Sequence, residues 1–124
     1  MASRSWPGTP LARGVGIALL LAAIATVVIF LPEPPISQET REAVLRNNLQ
    51  AIREAVETYR TDHGQGPQSL DALVEAGYLR RLPVDPMRGN SQTWDVVKAD
   101  DGTIIEVHSS SGKTATDGSS YNDW

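Results

Sequence analysis

Apolar residues follow three different patterns along this chain, and each pattern predicts a different element. Residues 15–31, "VGIALLLAAIATVVIFL", are apolar without interruption and without charge. Leu45, Leu49, Ile52, Val56 and Tyr59 then recur at alternating steps of four and three, which puts them on one stripe of an amphipathic helix. In "TWDVVKADDGTIIEVHS" apolar and polar positions alternate on either side of Asp101-Gly102, the pattern of a β-hairpin with that pair in its loop.

The first pattern reads as a membrane segment, because apolarity on every face is not what a helix with one buried stripe shows. Rising ~1.5 Å per residue, a helix over 15–31 reaches about 25 Å, close enough to the ~30 Å hydrocarbon core for thinning or snorkelling flanks to accommodate. Arg4 and Arg13 precede it and the first acid is Glu33, so the positive-inside rule places the N-terminus in the cytoplasm. A cleavable secretory signal would end in small residues. This run ends in "IFLPEPP", and its A-x-A triplet, Ala23-Ile24-Ala25, lies in mid-run, so a retained anchor is expected.

The prolines of "PEPP" break the helix, and Ser37 is placed to cap a new one, with Glu39 in the first turn and Gly64 just past its end. "QSLDALVEAGYL" predicts a short helix capped by Ser69, with Asp71 in its first turn and Gly77 at its end, offering Leu70, Leu73 and Val74 to a core. "RLPVDPMRGNSQ" reads as an irregular connector. In the hairpin, Trp94 and Val96 are expected on one face, and Ile105 with Val107 on one face. The tail "SSGKTATDGSSYNDW" reads as a polar loop closed by two aromatics. The expected class is α+β, with an N-terminal transmembrane helix and a long amphipathic helix packed on a small antiparallel β-sheet. Four segments follow: a cytoplasmic stretch 1–14, the transmembrane helix 15–31, the Pro-rich break 32–36 and a domain over 37–124.

Composition narrows the chemistry. The net charge is only −4 and the Lys and Arg residues are scattered, which gives no electrostatic footprint for nucleic acid. Cys is absent, so so small a domain must draw its stability from packing, assembly or a bound ion rather than disulfides. His63 and His108 have neither H-x-x-x-H spacing nor a companion thiol, and are read as surface or capping residues. The serines at 109–111 lack a G-x-S-x-G elbow and are read as a flexible small-residue loop. Glu54 and Glu57, flanked by Arg53 and Arg60, are read as a solvated, salt-bridged face. Tyr59, Tyr78, Trp94, Tyr121 and Trp124 are assigned to packing, with Trp124 pinning the tail. No residue is assigned to catalysis, cofactor binding or metal ligation.

The segment "NNLQAIREAVETYRTDHGQGPQSLDALVEAGYLRRLPVDPMRG" resembles the globular region of the type II secretion pseudopilins, the major pseudopilin above all, and of related type IV pilin-like proteins. Its features come in the family's order: Tyr59, Gly64, Pro67, the "SLDALV" helix, Gly77-Tyr78-Leu79 and "PVDP" at 83–86. The ending "DGSSYNDW" is also similar, and the resemblance covers roughly residues 44–124. It implies a ladle-shaped, non-catalytic protein whose apolar helix is stored in the bacterial inner membrane. That helix then packs with its neighbours as the core of a periplasmic filament, driven by a cytoplasmic ATPase. The implied partners are other pseudopilins or secretion-apparatus subunits and inner-membrane lipid, not nucleic acid. The implied placement is single-pass, with the N-terminus cytoplasmic and the domain over 37–124 periplasmic.

The chain departs from the family at its start. Family members carry Gly then Phe at the prepilin-peptidase cleavage point, and a Glu a few residues later that accepts a neighbour's N-terminal ammonium. Here Arg13-Gly14 is followed by Val15, and Leu19 falls where that Glu is expected; an alkyl chain cannot receive an ammonium in hydrocarbon. "RGVG" is therefore either a degenerate processing site or, as expected here, the flank of a retained anchor. A membrane-anchored periplasmic binding module that keeps the pilin-like fold without polymerising is the alternative to a filament subunit or accessory. The resemblance also implies calcium in the loop before the terminal Trp, where carboxylate and backbone oxygens suit a hard cation. Asp117 and Asp123 are the acids of the tail, and Lys113 stands where the family tends to show an Asp-Gly. Asp117-Gly118 is accordingly read as a turn and Asp123 as a solvated end residue, with a weak calcium site as the alternative.

Overall fold

The computed structural model describes residues 16, 18–23 and 34–124. It divides into two units, Met1–Pro35 and Ile36–Trp124. In the first, Gly16 and residues 18–23 are helical, and Leu19, Leu20 and Leu21 are exposed. The remainder of the expected membrane span lies outside the described residues, among which no helix is long and apolar enough to cross a membrane.

The second unit is α+β. Its long helix, α1, spans Gln38–His63. The Ser37 hydroxyl accepts the Thr40 amide at 3.2 Å and opens it. Gly64 closes it in the left-handed region at φ 78, donating its amide to Arg60 at 2.8 Å, a conformation that favours a residue without Cβ. The expected stripe is the buried one: Leu45, Leu49, Ile52 and Val56 are buried, and Tyr59 packs half-buried against the same core. Glu42 also lies on that stripe, a turn before Leu45, at 2% exposure. The periodicity of apolar residues could not register it.

A second helix, α2, spans Leu70–Glu75 under the expected Ser69 cap. Leu70 and Leu73 enter the core and Val74 only half does. The amides of Tyr78 and Leu79 fold back onto the Leu73 carbonyl at 2.8 and 3.2 Å, with Gly77 at φ 84 making the reversal. The loop between α1 and α2 lies flat on the hairpin. A Cβ on Gly66 would run into the Ile104 carbonyl oxygen, and the Ile104 amide donates to Pro67 at 2.7 Å.

The hairpin pairs β1, Asp95–Lys98, antiparallel with β2, Ile104–His108. Its facing differs from strict alternation. Val97 pairs with Glu106 but Lys98 with Ile104, so Ile105 is an extra residue on β2. A bulge of this kind puts two successive side chains on the same side. Ile105 and Glu106 are both exposed, while Ile104 and Val107 are buried. The expectation that Ile105 lies on one face with Val107 is thus corrected. Trp94 is buried as expected and donates its indole N–H to the Pro83 carbonyl at 2.9 Å, whereas Val96 remains 36% exposed.

The connector before the hairpin is irregular but tightly tied. Asp85 is fully buried. Its carboxylate accepts the Met87 amide at 2.8 Å and the Ser109 hydroxyl at 2.6 Å, and its amide and carbonyl close the turn with Asn90, Arg88 and Gly89. Ser109 and Ser111 are likewise buried, with the Ser111 amide donating to the Ser109 hydroxyl at 3.2 Å. These two serines form packed structure rather than the flexible loop expected, because Asp85, distant in sequence, holds Ser109 and Ser109 in turn holds Ser111. Leu49, at 2% exposure in the centre of the α1 stripe, is the sharpest probe of this core. Leu49→Ala is expected to destabilise the domain by ~2–5 kcal/mol. Urea denaturation followed by circular dichroism measures it, and an unchanged midpoint would mean that the stripe does not carry the core.

Candidate functional site

The tail and the first half of α1 form one polar assembly around Glu42. From the tail, the Thr116 amide donates to this carboxylate at 2.8 Å, the Thr116 hydroxyl at 2.6 Å and the Tyr121 hydroxyl at 2.7 Å. From α1 itself Gln38 donates at 3.1 Å. A carboxylate that accepts several donors is stabilised in its charged form. The Thr116 hydroxyl is the leading cause, and with Tyr121, the Thr116 amide and Gln38 it outweighs burial, bringing the Glu42 pKa from 4.5 down to about 2. Burial, and then the bond to Glu42, push the Tyr121 hydroxyl up, so it remains a donor.

The tail reaches Glu42 by folding back on itself. Thr114 bridges Ser120, and the Ala115 amide donates to Ser119 at 2.8 Å. At the tip, Gly118 takes φ 87 and Asp117 accepts the Ser119 amide at 2.9 Å and its hydroxyl at 2.6 Å. Those bonds, the hydroxyl first, lower the Asp117 pKa, and Arg46 adds to them. A short 3₁₀ turn, Tyr121–Asp123, then buries Tyr121 and leads to Trp124.

Trp124 pins the end as expected. Arg46 lies 4.0 Å over its ring, Tyr121 packs edge-on at 5.2 Å, and its indole donates to Ser119 at 2.7 Å. The His108 Nδ1 meets the Trp124 carbonyl at 2.6 Å, tying the tail to β2. Arg53 donates twice to the Val107 carbonyl, at 3.1 and 2.8 Å, and so joins α1 to the same strand. That corrects its expected place in a salt-bridged surface with Glu54. Glu57 does pair with Arg60, at 2.6 Å, but Glu54 accepts from Gln50. Between α1 and β2 these residues leave an open groove lined by Arg53, Val56, Ile105, Glu106, His108 and Trp124.

The two histidines lie on different elements. His63 stacks on Tyr59 at 4.0 Å, where α1 ends, beside Tyr78, whose hydroxyl donates to Asp62 at 2.7 Å. His108 belongs to the tail assembly. Among the described residues no group of three or more His, Cys, Asp or Glu side chains could hold a metal ion. The tail does not fit calcium well: one Asp117 oxygen is taken by Ser119, the other faces Arg46 at 3.9 Å, and Asp123 is exposed on the 3₁₀ turn.

Glu42, Thr116 and Gln38 are the residues that sequence reasoning missed. A Glu at the head of an apolar stripe was the available signal, since Glu42 stands three positions before Leu45. What defines this surface is a helix clasped by a hairpin and a tail through side-chain hydrogen bonds. Comparison of the chain with family models, with curated proteins and with solved structures finds no match.

Two outcomes are expected of this site. Because the folded pKa of Glu42 lies below its ordinary 4.5, its contribution is fully present above that value and is lost as pH falls toward about 2. Melting temperature should therefore drop across that window. Glu42→Gln should be less stable at neutral pH and show a flatter acid limb, with the residual slope left to Asp101 and Asp117, whose pKa values are also lowered. An acid limb as steep as that of the parent would remove Glu42 from this role. The second concerns calcium. Thermal melts of the full chain in detergent, with millimolar calcium and with chelator, should nearly coincide, since a ligand selective for the folded state raises stability with its concentration. A rise of many degrees, abolished by Asp117→Ala, would establish a calcium site.

Proposed function

We propose that this chain is a non-catalytic structural or accessory subunit of a type II secretion pseudopilus or type IV pilus-like apparatus. Residues 15–31 anchor it in the bacterial inner membrane as a single transmembrane helix, with the N-terminus cytoplasmic and the α+β domain periplasmic. The observation that supports this best is the division of α1 into two faces. One is closed by the hairpin and the tail. The other, with Ala43, Asn47, Ala51, Glu54 and Thr58 in line, is exposed along the helix, and Val44 beside it is 42% exposed. The small side chains on it, Ala43, Ala51 and Thr58, allow close approach of a second helix, and the apolar run that precedes α1 in sequence is the second segment proposed to associate.

Leu19 favours a second reading. It stands where a filament-forming relative would present a carboxylate, and an unpaired ammonium in hydrocarbon is costly. An anchored module that keeps the ladle fold but does not polymerise accounts for this leucine. The two readings part at Gly14. Intact-mass analysis of protein extracted from membranes, with and without a co-expressed prepilin peptidase, is expected to find the residues before Val15 retained in both cases. A peptidase-dependent loss of residues 1–14 would overturn the retained anchor and restore a processed pseudopilin, and Leu19→Glu should then improve its entry into filaments.

A further inference from the structure

Beside the first turns of α1 lies a cleft of about 170 Å³, lined by Gln38, Arg41, Pro86, Met87, Lys113 and Tyr121. Arg41 and Lys113 are exposed, and among the described residues neither takes part in an ion pair. Pro86 and the half-buried Met87 give the cleft an apolar wall. No carboxylate is among its lining residues, and Glu42, which the lining residues Gln38 and Tyr121 contact, is buried and committed to four donors, so the charge of the lining is positive. Ile36, just before the cap of α1, is 65% exposed although apolar. Cations over an apolar wall, beside an exposed isoleucine, form the composition of a surface that meets a lipid interface, where basic heads reach phosphate and apolar parts enter the acyl boundary.

We propose that this cleft takes the phosphate of an anionic phospholipid headgroup, with Arg41 and Lys113 as its cationic ligands. The inference rests on the membrane-anchor reading above. On that reading, residues 32–36 alone separate the apolar run from Ser37 in sequence, a tether of at most about 18 Å. Inorganic phosphate offers the same oxygens, but the tether raises the local concentration of lipid phosphate far above that of a dilute soluble anion.

The chain has two lysines, Lys98 and Lys113, which makes the test internal to one molecule. The full chain is reconstituted in phosphatidylcholine vesicles, with or without phosphatidylglycerol. It is then acylated by a membrane-impermeant amine reagent and read by mass spectrometry as the ratio of Lys113 to Lys98. Lys98, exposed at the end of β1, corrects for orientation and reagent. Lys113 is expected to react about fivefold more slowly with phosphatidylglycerol present, the ratio corresponding to about 1 kcal/mol per basic residue near an anionic surface. Arg41→Gln should return it toward the phosphatidylcholine rate. Equal ratios in both vesicles, with the protein still floating with each, would overturn the headgroup site and leave the anchor standing. Equal slowing by inorganic phosphate in phosphatidylcholine vesicles would overturn the lipid assignment in favour of a soluble anion. A chain that floats with neither vesicle would overturn the anchor, and this inference with it.

Discussion

Glu42 puts a carboxylate on the buried stripe of α1, in a place where an unpaired charge would drive the helix away from its partners. The charge is tolerated because donors gather on it: Thr116 and Tyr121 from the distant tail, Gln38 from one turn earlier on the same helix. A buried ionised group is stable only when most of its oxygen lone pairs are taken, so the carboxylate defines one position for the tail and disfavours others. In a chain without cysteine, this is how a polar loop of Ser, Thr, Gly and Asp acquires a fixed path. Arg46 over Trp124 and His108 on the Trp124 carbonyl continue the same constraint to the end of the chain.

The apolar half of the domain is arranged so that this clasp has something to close on. Leu45, Leu49, Ile52 and Val56 present a stripe to Ile104, Val107 and Trp94, and the bulge at Ile105 turns Ile104 and Val107 to the same side, which strict alternation would not allow. Gly66 lets the loop after α1 lie against the start of β2 where any larger residue would meet backbone. Asp85 performs for the connector what Glu42 performs for the tail: a buried carboxylate organises a segment with few apolar residues by accepting from its own turn and from Ser109. Two buried acids thus fix segments that have few apolar residues of their own.

The consequence for function is an asymmetric helix. Hairpin, connector and tail all gather on one side of α1, and the opposite side keeps small and polar residues in the open. The proposed association along the helix would use this exposed face, with the polar clasp holding the opposite side closed. Among the described residues Arg41 and Lys113 take part in no ion pair, and Ile36, just before the cap of α1, is exposed.

By itself the sequence determined the two helices of the domain, their caps and the place of the hairpin. Helix period, Ser37 and Ser69 as caps, Gly64 as terminator and Asp101-Gly102 in a hairpin loop are local properties, written in residues at most a few positions apart, and the α+β class follows from their order. The stripe of α1 was legible for the same reason. What the tertiary structure alone decided are the contacts between segments far apart in the chain. Glu42 and Thr116 are neighbours only after folding, as are Asp85 with Ser109 and Arg53 with Val107; a lone Glu, a Ser triplet and an Arg just ahead of two acids each look like surface until the partner arrives. The bulge at Ile105 belongs with these, because strand facing is set by what each strand packs against and not by its own alternation.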